Sequence, residues 1–64
     1  MTPGATRLAA ALKALHWSNV ALAAELRRDE KQVRRWLSGS YDPPMAVLDW
    51  LERLAECHRA NPAP

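Results

Sequence analysis

The sequence predicts a small all-α protein, a compact domain of four helices with five as the alternative. Ala, Leu, Glu, Lys and Arg dominate, and β-branched residues are few. No run alternates apolar and polar residues between turn signals, as a strand would. The 64 residues suffice for one domain, predicted over residues 1–60. Folds in which helices wrap a catalytic sheet do not fit in this length.

The first helix is predicted over about Gly4–Leu15, with Thr2 as its N-cap and Pro3 in its first turn. Its apolar side chains recur at helical spacing and predict one buried stripe: Leu8, Leu12 and Leu15, with Ala5 and Ala11 beside them. The second helix is predicted after Ser18, a favoured N-cap residue, over about eight residues. Its inward side chains are Leu22, Ala23 and Leu26.

The third helix is predicted over residues 29–38. Asp29 is its expected N-cap, Gln32 stands at capping-box spacing, and Gly39 ends the helix in the left-handed conformation. At about 100° per residue the helix has two unlike faces. The apolar face consists of Val33, Trp36 and Leu37, and the polar face consists of Lys31, Arg34, Arg35 and Ser38.

The fourth helix is predicted to follow the loop at residues 40–44, with Asp42 as N-cap and Pro43 in the first helical position. It should run to about His58, and residues 61–64 should form a flexible tail. The side chains expected in the core are Val47, Leu48, Leu51, Leu54 and Ala55.

The fourth helix is too apolar to have only one buried side. A second face, to which we assign Met45, Trp50, Leu54 and Cys57, predicts a two-fold interface between two copies of the chain. The alternatives are partial exposure of this face, or packing of Trp50 onto the first helix.

Positive charge is concentrated in one short segment. Residues 27–36 carry five cations and two acids, a net charge of +3, while the rest of the chain has a net charge of −1. A focused positive field favours a polyanionic partner. Two short helices joined by a three-residue break, with a cationic outer face on the second, are typical of a helix-turn-helix. In that motif the second helix enters the DNA major groove, which is about 12 Å wide.

The segment at residues 18–39, SNVALAAELRRDEKQVRRWLSG, resembles the helix-turn-helix of the lambda-repressor-like (Cro/C1, XRE-type) DNA-binding domains. The resemblance covers about residues 8–54. The matching positions are Leu22-Ala23, Val33, Arg35-Trp36 with Gly39, and a proline at 43 or 44 before the next helix.

The resemblance implies roles for individual residues. Glu30, Lys31 and Arg35 fall where the family reads base edges, with Arg34 close to the groove; Glu30 could instead only favour the positive helix N-terminus. The positions expected to meet the DNA backbone are Asn19, Arg28, Ser38, Ser40 and Tyr41.

Two positions depart from the family pattern. Arg27 stands where the family has a turn glycine, so we expect a slightly reshaped turn. Arg28 stands where the family has an apolar residue that plugs the core. The expectation for Arg28 is a side chain that extends to a phosphate, and the alternative is a third helix that starts at a different angle.

Other functions find little support in the sequence. His16, Cys57 and His58 lack zinc-ligand spacing, and no nucleophile stands with a base and an orienting group. We therefore expect neither an enzyme nor a cofactor, and no small-molecule ligand. One cysteine, no long apolar run and no signal peptide favour a cytoplasmic, nucleoid-associated protein without a membrane segment. The Met1 start and the Pro-rich end favour a nearly complete chain.

Together these observations predict a sequence-specific regulator of transcription that binds double-stranded DNA. A homodimeric repressor on an inverted-repeat site is the preferred form. The alternatives are a protein-interaction or antitoxin-like adaptor that uses the fourth helix, and a DNA-targeting fragment of a recombinase-type enzyme.

Overall fold

The computed structural model describes residues 2–61 and contains four α-helices in that range. They are α1 (Pro3–Leu15), α2 (Asn19–Leu26), α3 (Glu30–Ser38) and α4 (Met45–Ala60). The prediction of an all-α chain with four helices is confirmed for the described residues. Of the predicted tail at 61–64, residues 62–64 lie outside the described part of the chain.

The first three helices begin at the predicted N-cap residues. Thr2 Oγ1 accepts a hydrogen bond from the Ala5 N–H at 3.1 Å, and Ser18 Oγ accepts one from the Ala21 N–H at 3.0 Å. Pro3 occupies the first turn of α1, so this helix starts one residue before the expected Gly4.

Asp29 caps α3 in a different way from the predicted capping box. Its Oδ1 accepts from the Lys31 N–H at 3.0 Å, while the Gln32 N–H bonds to the Asp29 carbonyl at 3.0 Å. Within the described residues the Gln32 side chain makes no return bond to Asp29. The N-cap prediction is confirmed, and the reciprocal side-chain bonds of a capping box are not formed among the described residues.

The same C-terminal motif ends α1, α2 and α3. His16 (φ 58°), Arg27 (φ 55°) and Gly39 (φ 85°) each adopt the left-handed conformation. After each of them, the next N–H reaches five residues back to a carbonyl, as in Arg28 N–H to Ala23 O at 2.9 Å. Arg27 therefore ends α2 with the same hydrogen-bond pattern as Gly39 at the end of α3, at φ 55° and ψ 44° where Gly39 has φ 85° and ψ 4°.

Helix α4 differs from its prediction at both ends. Pro44, not Asp42, is the N-cap, it makes no side-chain cap bond, and the helix begins at Met45. The reason is steric, because a residue that precedes proline is driven to extended conformations, and Pro43 precedes Pro44. Pro43 is instead buried and packs closely against Gly4. A Cβ atom added to Gly4 would lie only 3.0 Å from Pro43 Cδ. The helix continues past His58 to Ala60 and is closed by Asn61.

The core is arranged around α1, which packs against α4 and α3, while α2 packs against α3. The largest fully buried side chain is Trp36, followed by Leu8, Leu22, Leu51 and Val33. The predicted inward faces of α1 and α2 are confirmed at Leu8, Leu12, Leu22 and Ala23. Leu54, expected in the core, is only half-buried and lies outside the core cluster.

One ion pair joins the two longest helices across the surface. Arg7 of α1 pairs with both carboxylate oxygens of Glu52 of α4, through Nε at 3.0 Å and through Nη2. Asp49 lies 3.8 Å from the same guanidinium. The hydrogen bond from Arg7 lowers the pKa of Glu52 below its ordinary value, against a smaller opposing effect of desolvation. This pair links α1 to α4 at the surface, beside the buried contacts between the two helices.

Candidate nucleic-acid interface

The two faces of α3 are separated as the sequence predicts. Val33 is 0% exposed and Trp36 is 1% exposed, so this side of the helix is held firmly in the core. Lys31, Arg34 and Arg35 are exposed, and with Ser38 they line a shallow open depression. The helix therefore presents three cations on a backbone whose other side is immobilised by packing.

Glu30 is tied to Arg34 on the exposed side of α3. Arg34 Nε lies 2.8 Å from Glu30 Oε2, in an i,i+4 pair with the acid on the N-terminal side. That order is the favourable one on a helix. The side chains are 32% exposed for Glu30 and 60% exposed for Arg34, so the carboxylate is the more sheltered partner. Among the described residues, Lys31 and Arg35 take part in no such pair.

Arg28 covers the aromatic ring at the base of α3. Its guanidinium carbon lies 5.5 Å from the centroid of the Trp36 ring, within the range of a cation–π contact. The side chain is nevertheless exposed. Arg28 thus shields the buried tryptophan at a position where an apolar residue would plug the core, and its charge remains open to solvent.

The remaining residues predicted at the DNA backbone lie at two helix ends. Asn19 is half-buried in the first turn of α2. Ser40 and Tyr41 follow α3 and are anchored to it, since both N–H groups point at the Arg35 carbonyl, at 3.1 and 3.4 Å. The Ser38 hydroxyl lies 2.9 Å from the Ser40 hydroxyl and 3.0 Å from the Arg35 carbonyl. Tyr41 is 59% exposed.

Charge is distributed unevenly over the surface. The cations of α1 and α4 that form ion pairs, Arg7 and Arg59, meet acids of α4, at Glu52 and Glu56. Around α3, by contrast, only Arg34 has an acid partner in the described residues, and four further cations are exposed: Arg27, Arg28, Lys31 and Arg35. Four exposed cations without an acid partner in the described residues therefore lie on α3 and in the connection that precedes it.

The four residues predicted at a dimer interface fall on two sides of α4. Trp50 is half-buried and its ring centroid lies 6.2 Å from that of Trp17, at an interplanar angle of 56°. Leu54 is half-buried and Cys57 is exposed, at i+4 and i+7 from Trp50 on the same side of the helix. Met45 is 62% exposed and lies elsewhere, with its Sδ 3.7 Å from Arg7 Nη1. We call Trp50, Leu54 and Cys57 the α4 stripe.

His16 and His58 are neighbours in the fold although they are distant in sequence. The rings of His16 and His58 lie 6.3 Å apart between centroids, nearly perpendicular to each other. Within residues 2–61 no three His, Cys, Asp or Glu side chains converge as a metal site would require. Over the same range, no helix is long and apolar enough to cross a membrane.

Two contacts in this region were not expected from the sequence. The Glu30–Arg34 pair could have been predicted from the sequence, because a Glu four residues before an Arg forms a favourable pair on any helix. The contact of Arg28 with Trp36 had no such signal, because it joins separate elements. Trp50 contacts Trp17, which follows the end of α1, and this is close to the alternative in which Trp50 packs onto the first helix.

The comparisons with known proteins add no relative against which to test this site. The chain matches no family model, and neither the curated proteins nor the solved structures provide a significant match.

Proposed function

We propose that this protein is a sequence-specific double-stranded DNA-binding regulator of transcription, with α3 as its recognition helix. The observation that carries the proposal is the division of α3 between a fully buried apolar face and an exposed cationic face. A recognition helix must be clamped from behind while it presents donors in front, because a mobile helix would lose the register that base readout needs. Val33 and Trp36 supply the clamp, and Lys31 and Arg35 supply donors without a competing acid.

The arrangement of α2 and α3 supports the same proposal. Three residues, 27–29, separate them, and both ends of the connection are capped by hydrogen bonds, at Arg27 and at Asp29. This spacing is typical of the lambda-repressor-like helix-turn-helix, to which we assign the chain as part of the proposal. In that assignment α2 crosses the DNA backbone, with Asn19 near a phosphate.

The loop after α3 completes the proposed contact with the DNA backbone. Ser38, Ser40 and Tyr41 are exposed and tied to the last turn of α3, so a phosphate that they bind would set how deeply the helix enters the groove. One guanidinium cannot stay over the Trp36 ring and contact a phosphate at the same time, so Arg28 would have to leave the ring in order to bind a phosphate.

We further propose that the protein acts as a homodimer joined through the α4 stripe, and as a repressor that occludes a promoter. Leu54 lies outside the monomer core although it is a large apolar residue, which supports a partner at this face. On an inverted-repeat site such a dimer would need to hold its two copies of α3 about 34 Å apart, one turn of DNA. Such a repressor would act at the nucleoid.

The test of DNA binding is selection of bound sequences from a random duplex pool. We expect an enriched palindrome. Arg35→Ala should then lower discrimination at one base pair by about 5- to 150-fold, the range for a bidentate contact to guanine. Lys31→Ala should also weaken binding to the selected site.

Lys13→Ala is the matched control, since Lys13 is an exposed cation in the last turn of α1 and does not belong to the predicted DNA-contacting residues. It should leave sequence preference unchanged. The recognition-helix assignment is wrong if Arg35→Ala and Lys31→Ala both bind like the parent protein.

The test of the dimer uses two positions on opposite sides of α4. Leu54 and Met45 are nine residues apart, which turns a helix by about 180°. Leu54→Glu should shift the mass measured by light scattering from dimer to monomer and weaken binding to a full palindrome. Met45→Glu should do neither. A parent chain that is monomeric at all concentrations, and binds a half-site as well as a palindrome, would refute the dimer.

The adaptor alternative also uses the α4 stripe, but it predicts a different result of the duplex selection. If the stripe serves only a larger protein partner, the chain shows no sequence preference in the duplex selection. Retained binding of the selected duplex by Leu54→Glu at high protein concentration would count against that alternative.

A further inference from the structure

We infer that Glu30 and Arg34 form one preorganised unit that reads a guanine, in which Arg34 contacts the base and Glu30 is a positioning residue. The inference rests on the proposed function and identifies the base chemistry that the site prefers. It also changes the roles that the resemblance implies, in which Glu30 falls at a base edge and Arg34 close to the groove: here Arg34 meets the base, and Glu30 acts through Arg34.

The atoms used by the ion pair decide which part of Arg34 remains available. Glu30 Oε2 lies 2.8 Å from Arg34 Nε, as an ion pair. The two terminal nitrogens, Nη1 and Nη2, make no hydrogen bond and no ion pair within the described residues. These two nitrogens form the planar fork that matches O6 and N7 of guanine in the major groove. Adenine offers an acceptor and a donor at the corresponding positions and fits the fork poorly.

The Glu30 carboxylate is partly sheltered and lies at the N-terminus of α3, which favours its ionised, paired form. Glu30 is the first residue of α3, where the positive end of the helix dipole favours a negative charge. It is also half-buried, with 32% of its side chain exposed. A sheltered carboxylate near a helix N-terminus is a better anchor than a mobile surface acid. Arg34 therefore begins its encounter with DNA from a restricted set of rotamers.

Comparison with Arg35 shows what this arrangement contributes. Arg35 is exposed and has no acid partner in the described structure, so it must lose more side-chain freedom when it binds a base. Holding one long side chain in its bound geometry beforehand is worth roughly 2- to 10-fold in affinity for the matching base. Glu30 opposes this gain with its own negative charge, which repels phosphates and weakens binding to any DNA. The pair should therefore increase the selectivity for guanine and decrease the affinity for DNA of any sequence.

Glu30 should raise the preference for guanine but lower the affinity for DNA in general, and these two opposite effects can be measured separately. Binding is measured by titration of the selected duplex, of duplexes with single base-pair replacements, and of an unrelated duplex. Arg34→Lys should abolish the preference for guanine at one position. Glu30→Gln should lower the preference at that same position by roughly 2- to 10-fold, while it tightens binding to the unrelated duplex. A purely structural role for Glu30 would not produce a loss confined to one base pair.

Two further variants separate geometry from charge. Glu30→Asp keeps the negative charge but is one methylene shorter, so it should lower the guanine preference without tightening binding to the unrelated duplex. Glu25→Gln removes an exposed acid of α2 that has no ion-pair partner in the described residues. It should leave the guanine preference unchanged.

Three results would overturn the inference. Glu30→Gln could keep full discrimination at every position, or it could alter the preference at a cytosine that Arg34→Lys does not affect, as direct reading by Glu30 would. It could also lower only the thermal stability. In all three cases the parent protein still selects a DNA sequence and the proposed function stands. If the parent protein selects no sequence, the proposed function and this inference fail together.

Discussion

Replacement of Arg27 by glycine should make the protein more stable, although it removes a residue from the candidate DNA-binding surface. Arg27 has φ 55° and ψ 44°, the left-handed conformation in which a Cβ crowds the following carbonyl. That crowding costs about 1–2 kcal/mol, and glycine escapes it at the expense of about 0.5–1 kcal/mol of additional chain entropy. The expected net gain is about 0.5–1 kcal/mol in the free energy of unfolding. For a domain of this size that raises Tm by roughly 2–8 °C.

The comparison that isolates the backbone effect is Arg27→Gly against Arg27→Ala, because both variants lose the same charge. Arg27→Ala keeps the crowded conformation and should lie within about 0.5 kcal/mol of the parent protein. Ala24→Gly, on the exposed side of α2, tests glycine where the backbone is helical, and it should destabilise by about 1 kcal/mol. Unfolding by urea, followed by circular dichroism, measures all three variants. If Arg27→Gly and Arg27→Ala are equally stable, the left-handed turn between α2 and α3 is not as described.

Three other predictions concern side-chain contacts. Trp36→Ala should cost about 3–5 kcal/mol, a large part of the roughly 3–10 kcal/mol available to a domain of this length, so its helical signal should melt near room temperature. Arg28→Ala should cost about 0.5–1 kcal/mol through loss of the Trp36 contact, and it should lower the salt dependence of DNA binding by about one unit only if Arg28 reaches a phosphate. Glu52→Gln should flatten the acid dependence of stability: the lowered pKa of Glu52 stabilises the fold above the ordinary glutamate pKa, and this contribution is lost as pH falls through the lowered value.

Each of these predictions has an outcome that contradicts it. A folded and thermally robust Trp36→Ala protein would mean that the ring does not anchor α3. Unchanged stability of Arg28→Ala would mean that the guanidinium does not rest on the ring. An acid transition in Glu52→Gln as steep as that of the parent protein would assign the pH dependence to other carboxylates.

Local sequence signals accounted for most of the secondary structure and for the orientation of α3. Thr2, Ser18 and Asp29 were identified as N-caps from residue type and position alone, because capping depends on a few neighbouring backbone groups. The burial of Val33 and Trp36 opposite Lys31 and Arg35 followed from helical periodicity. The prediction of Asp42 as the N-cap of α4 is wrong, although the adjacent prolines contain the local information needed to reject it.

The tertiary structure decided the features that depend on distant residues coming together. Arg28 could be recognised as a departure from a family pattern, but only the packing of the α2–α3 connection placed its guanidinium over Trp36. The pairing of Arg7 with Glu52, 45 residues later, and the separation of Met45 from the α4 stripe depend on how α1 lies along α4. By itself the sequence determined the four helices, the N-caps of α1, α2 and α3, and the two faces of α3, because these depend on interactions within one or two turns of chain. The partners of exposed long side chains depend on how the helices pack, and no local pattern encodes that.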